Sequence, residues 1–124
     1  MPTPAPTEIT LHKKSQLLEI SFADGKTFRL PAEFLRVHSP SAEVRGHGPG
    51  QEVLQVGKRD VEISAIEPVG QYAIQLRFSD GHDTGLYSWD LLYDYGERQQ
   101  TMWQQYLNRL KEAGASRDAP SMKT

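Results

Sequence analysis

Two three-residue segments ending in Asp-Gly, each set between alternating apolar and polar residues, constrain this chain more than any other feature. Ala23-Asp24-Gly25 follows Leu18, Ile20 and Phe22 and precedes Phe28 and Leu30. Ser79-Asp80-Gly81 follows Tyr72, Ile74, Leu76 and Phe78 and precedes His82. Period-two alternation marks a strand with one buried face, and a one-residue slip in register would turn that face to water. At the first site a two-residue loop would set Phe22 against Thr27 and Ile20 against Arg29. A three-residue loop sets Ile20 against Phe28 and Leu18 against Leu30, and gives Gly25 the third loop position, where φ is positive. The same rule at the second site pairs Phe78 with His82, Leu76 with Thr84 and Ile74 with Leu86. It also sets Arg77 against Asp83 as an opposite-charge pair, and puts His82 on the apolar face at the sheet edge. Two antiparallel hairpins are therefore predicted.

Around them, Ile9 and Leu11 predict a first short strand, and Val53, Leu54 and Val56, then Val61, Ile63 and Ala65, continue β-like patterns. Pro31–Val37 can start a short helix, with proline in its first turn. The stretch 39–50 has three glycines and two prolines in twelve residues and reads as a long loop. Ser88 is a fitting N-cap for a helix over Trp89–Tyr95. Gly96 separates it from Glu97–Ala113, where Met102, Trp103, Tyr106, Leu107 and Leu110 form one apolar stripe. The fold class is α+β: a small antiparallel β-sheet of hairpins, a short helix after Pro31, and C-terminal helices packed on the sheet. The 124 residues make one domain over 8–113, large enough to need no staple. The segments 1–7 and 114–124 read as disordered tails.

Charge and composition narrow the function. With no cysteine, the chain has neither disulfides, thiolate metal sites nor a cysteine nucleophile. Lys plus Arg is 14 against 16 for Asp plus Glu, so the basic excess of a nucleic-acid binder is missing. No apolar run reaches the length of a membrane span, and the Pro- and Thr-rich start has no secretory-leader pattern. The expectation is a cytoplasmic protein that engages neither nucleic acid nor membrane.

Four groups of residues carry candidate chemistry. His38, His47 and His82, with Glu43, Asp80 and Asp83, offer imidazole and carboxylate donors for zinc or iron, but no HxH or HxxxH spacing supports them. The plainer reading has His82 ordering its own turn and His47 solvated. Arg45-Gly46-His47-Gly48-Pro49-Gly50 joins a cation to glycine-rich backbone that can hold an anion, without the Lys-Ser or Lys-Thr of a P-loop; a merely conformational loop is the alternative. Serine, histidine and aspartate are present without a Gly-x-Ser-x-Gly elbow. Tyr87, Trp89, Tyr93, Tyr95, Trp103 and Tyr106 suit either a small core or an interface.

The stretch Val69–Trp89, VGQYAIQLRFSDGHDTGLYSW, resembles the signature of the gamma-butyrobetaine hydroxylase-like N-terminal domain family: a Val-Gly-x-Tyr strand, an Asp-Gly-His turn, a Gly-x-Tyr and a tryptophan. Phe34-Leu35-Arg36 with Ser39-Pro40-Ser41 is similar to the other family block. The resemblance covers roughly residues 8–95. It implies a small β-rich α+β domain, found alone in bacteria, in front of iron- and 2-oxoglutarate-dependent oxygenase domains, or attached to P-loop ATPases with iron–sulfur clusters. In the oxygenases it is the non-catalytic part and binds a structural zinc through three cysteines and a histidine. That histidine matches His82. The cysteine positions hold Ser39, Ser41 and Val44, so three ligands are missing and no cofactor is expected; a remodelled zinc or iron site of His38, His47 and His82 is the alternative. The resemblance further implies that hydrogen bonding between His82 and the Ser39–Ser41 segment replaces the metal link. The residues marked for a structural or functional role are thus Ser39, Ser41, Arg45, Gly46, Asp80, Gly81, His82 and Trp89. The implied function is a binding or adaptor module whose protein partner is a metalloenzyme or iron–sulfur assembly protein. A small enzyme using the 39–50 loop and His82 is the third reading. Oligomeric state is not legible.

Overall fold

The computed structural model describes residues 3–46 and 52–118. The chain forms two three-stranded antiparallel sheets, ordered β1-β2-β3 and β4-β5-β6, in an α+β fold. The first contains β1 (Pro6–His12), β2 (Leu17–Phe22) and β3 (Thr27–Pro31). The second contains β4 (Ile63–Val69), β5 (Ala73–Phe78) and β6 (Leu86–Ser88). The expected single sheet is therefore two. Gln16, in the β1–β2 turn at φ 54°, links them: its backbone carbonyl accepts from Ala32 N and its side-chain carbonyl from Ile63 N.

The first Asp-Gly hairpin has the predicted register, with Ile20 opposite Phe28 and Leu18 opposite Leu30. Gly25 sits at φ 90° and closes the turn by donating to Phe22 O. The second starts as predicted, with Phe78 N donating to His82 O, then departs by one residue. Ile74 faces Tyr87, not Leu86. The cause lies in Asp83–Gly85, which leaves the ladder. Gln75 Nε2 donates to the Asp83 carbonyl, and Gly85 lies so close to the segment after Val37 that a Cβ there would be 2.5 Å from Ser39 Oγ. Tyr87 therefore enters the core, while Leu86 is 50% exposed. Arg77 pairs with Glu67 on β4 instead of Asp83.

Pro31 caps α1 (Ala32–Val37), as its fixed φ allows. The supposed long loop begins with a helical turn, α2 (Ala42–Arg45), capped by Ser41 Oγ accepting from Glu43 N. Val53 to Val56 form no strand; Tyr106 OH donates to Gln55 O and ties this segment to the last helix. That helix, α3 (Trp89–Ala113), is continuous through Gly96. Glycine is kept there by packing rather than as a breaker: a Cβ would lie 2.2 Å from Phe28 Cγ. Tyr72, read as part of the apolar face, is in the β4–β5 turn and 65% exposed.

Residues 5–7 and 114–118, expected within disordered tails, bond to the body. Pro6 and Thr7 belong to β1, because Ala5 O accepts from Ala23 N and brings the strand alongside the first hairpin. Residues 114–118 fold back on the body: Gly114 caps α3 in the left-handed conformation, Gly57 N donates to Ser116 O, and Arg59 N donates to Arg117 O. Leu18, Ile20 and Leu30 from one sheet, Ile63, Leu76 and Tyr87 from the other, and Phe34, Leu35 and Leu92 from the helices share one core. No helix among the described residues is long and apolar enough to cross a membrane.

Candidate functional site

The turn after β5 and the segment from α1 to α2 meet in one polar cluster. Ser39 and His82, 43 residues apart, are joined by a 2.8 Å hydrogen bond between Oγ and Nε2. This is the cross-link expected between His82 and the Ser39–Ser41 segment. The other ring nitrogen, Nδ1, lies 3.1 Å from Glu43 Oε2. Ser39 Oγ also accepts from Ser41 N, and Ser41 Oγ pairs with Thr84 Oγ1 at 2.7 Å. Burial of the imidazole and the Arg36 charge beside it lower the His82 pKa, against the raising influence of Glu43 and Asp80.

Asp80 anchors the other side. Its Oδ1 accepts from His82 N, and its Oδ2 accepts from Arg36 Nε at 2.8 Å and Lys58 Nζ at 2.6 Å. Burial pushes this carboxyl up, but the bonds from Lys58, the His82 backbone and Arg36 outweigh it and hold its pKa at about 2. Gly81, at φ 89°, donates to Phe78 O and sets the turn that aims Asp80 and His82 inward. Arg36 is buried, and its Nη1 is the one buried side-chain donor without a partner among the described residues.

Ser39–His82–Glu43 has the connectivity of a hydrolase relay. Its burial runs the wrong way for that chemistry. Ser39 is 1% exposed, so its Oγ cannot meet a substrate, whereas the Glu43 side chain is 65% exposed and would orient the base poorly. Nor do the residues fit the zinc that the resemblance implies. Ser39 and Ser41 offer hydroxyls already committed to hydrogen bonds, and Val44 offers no donor. Among the described residues, no three His, Asp or Glu side chains form a group that could hold a metal ion.

The remaining predicted residues lie elsewhere. His38 Nδ1 bonds to Phe34 O at 2.9 Å, and its ring packs edge-on against Tyr95 and Tyr106 and tilted against Phe34. Burial lowers its pKa. It shares no hydrogen-bond partner with His82. His47 lies outside the described residues. Arg45 ends α2, Gly46 caps it at φ 74°, and Arg45 lines a cleft of about 140 Å³ with His38, Ser39, Tyr95 and Arg109. Trp89 opens α3 and donates from Nε1 to Gln71 O, securing the β4–β5 turn.

Sequence reasoning missed a larger feature. Between α1 and the middle of α3 runs a groove of about 680 Å³, lined by Glu33, Phe34, Glu97, Gln100, Trp103 and Arg117. Trp103 was visible as a stripe residue. Glu33 and Arg117 are 84 positions apart, and nothing local marks them as a pair.

Comparison with known proteins places this geometry in a family. The family model described as gamma-butyrobetaine hydroxylase-like, N-terminal, matches residues 9–93, nearly the span of the resemblance. One solution structure is 48% identical, with a TM-score of 0.83, covering 99% of this chain and 98% of that one. A second is 52% identical with a TM-score of 0.80, covering 98% and 94%. A crystal structure of a protein of unknown function from Acidithiobacillus ferrooxidans, assigned to the DUF971 family, is 41% identical with a TM-score of 0.59, covering 70% and 86%. No curated protein matches the chain. The chain belongs to the gamma-butyrobetaine hydroxylase-like N-terminal family, whose function is not defined by these relatives.

Proposed function

We propose that this member of the family is a non-catalytic protein-binding module, with the groove between α1 and α3 as its binding surface. The observation that carries this reading is where the chemistry is spent. The most reactive-looking residues, Ser39 and His82, are buried and consumed in internal links. The open concavity instead presents aromatic, amide and carboxylate side chains suited to holding a partner segment. By the company the family keeps, the partner is a metalloenzyme or an iron–sulfur assembly protein; this rests on association and not on a site.

The test has two arms. A fluorophosphonate probe reacts with activated serines, and the account predicts no labelling of Ser39 in the folded protein. A photo-crosslinking residue replacing Gln100 is expected to trap a specific partner that the same residue replacing Arg77, on the exposed side of β5, does not. Labelling of Ser39 would restore the enzyme reading. Equal cross-linking from both positions would remove the groove from the account.

A further inference from the structure

The groove already contains a ligand-like group supplied by the chain itself. Glu33, in the first turn of α1, has a side chain only 8% exposed. Arg117 meets it with two bonds, Nε to Oε2 at 2.8 Å and Nη2 to Oε1 at 2.6 Å. The same guanidinium lies over the Trp103 ring, 5.0 Å from its centroid. A paired carboxylate edge beside an indole face suits a planar guanidinium far better than an ammonium point charge.

Arg117 arrives from beyond the end of α3. Its segment is otherwise held by the bonds from Gly57 and Arg59 to its backbone and by an exposed Arg59–Asp118 pair. Arg117 is one wall of the concavity, whose volume of about 680 Å³ is open with that side chain in place. Phe34 and Trp103 line it, with Gln99 and Gln100 amides alongside and Glu97, whose carboxylate is paired with Lys26, at its edge.

We infer that this groove is an arginine-recognition site, that Arg117 is its resident occupant, and that an arginine presented by a partner peptide takes its place by exchange. The inference rests on the reading of the groove as the binding surface and names the chemistry of what binds there. Exchange replaces one bidentate pair over the indole face with an identical one, so the partner need only outcompete a short tethered segment.

The test titrates N-acetyl-arginine amide into the full chain and follows the Trp103 indole N–H by NMR. Arg117→Ala should bind it at least ten-fold more tightly than wild type. N-acetyl-lysine amide should bind that variant at least ten-fold more weakly, and adding Glu33→Gln should abolish binding. Equal affinity for wild type and Arg117→Ala, or equal binding of the lysine compound, would overturn the inference. Should Arg117→Ala not fold, Arg117→Lys serves, because a lysine there competes poorly; it too must bind the arginine compound more tightly than wild type. A partner trapped at Gln100 without arginine binding overturns this inference alone. Arginine binding without a trapped partner leaves the recognition site standing and removes the protein-binding function.

Discussion

Replacing His82 with alanine tests whether the polar cluster is a structural link. The His82 side chain is 2% exposed and its Nε2 bonds to the hydroxyl of Ser39, itself 1% exposed. A buried hydrogen bond contributes about 1 kcal/mol net, and stranding the surviving partner adds roughly another. The missing ring leaves a void beside Phe78, whose ring centroid is 6.1 Å away, at a cost of about 1–2 kcal/mol. The bond to Glu43 adds little, because that carboxylate is mostly in water. The total is about 3–4 kcal/mol, which for a chain of this size lowers Tm by roughly 10–16 °C. Differential scanning calorimetry on His82→Ala, Ser39→Ala and the double variant gives a cycle with an expected coupling of about 1 kcal/mol. A Tm change under about 2 °C for His82→Ala, or strictly additive effects, would refute the reasoning.

Three further outcomes are expected. Asp80 has its pKa depressed to about 2 in the folded state, so its contribution is complete above the unfolded value of about 3.9 and is lost as pH falls toward 2; urea unfolding across that range should show a steeper acid loss in wild type than in Asp80→Asn. His38 and His82 both have lowered pKa values, so between those values and about 6.5 the unfolded chain binds more protons and stability rises with pH. Denaturation at successive pH values should show this slope, reduced in His38→Gln; an unchanged slope would remove His38 from the explanation. Gly96→Ala should lose about 1–2 kcal/mol in chemical denaturation, because the clash with Phe28 outweighs a helix-propensity gain of about 1 kcal/mol; a more stable variant would show that Phe28 moves aside freely.

Much of the fold was legible because its signals are local. The first Asp-Gly hairpin needs only a glycine at positive φ and two alternating strands, and the pairing of Leu18, Ile20, Phe28 and Leu30 follows. The second was read correctly as far as His82 and then missed by one residue. The cause, the approach of Gly85 to Ser39, lies 46 positions away in the chain and has no local signature. Gly96 misled for a similar reason: in sequence it is a helix breaker, whereas in space it makes room for an aromatic ring. Ser39, Ser41, Asp80 and His82 stand in the family blocks, and the fold joins them by hydrogen bonds. Lys58 and Thr84 carry no such signal, since each is an ordinary polar residue until the fold brings it to Asp80 or Ser41. The Glu33–Arg117 pair was hidden by a C-terminal stretch whose Gly, Ala, Ser and Pro content reads as a tail.

The central claim is that Ser39, His82 and Glu43 hold two segments together by hydrogen bonds alone, leaving binding to the groove. Native mass spectrometry of the tag-free chain, before and after addition of zinc and of ferrous iron, tests it most directly. The account predicts the bare protein mass under every condition. One metal ion per chain, lost on His82→Ala, would contradict it and return the cluster to metal chemistry.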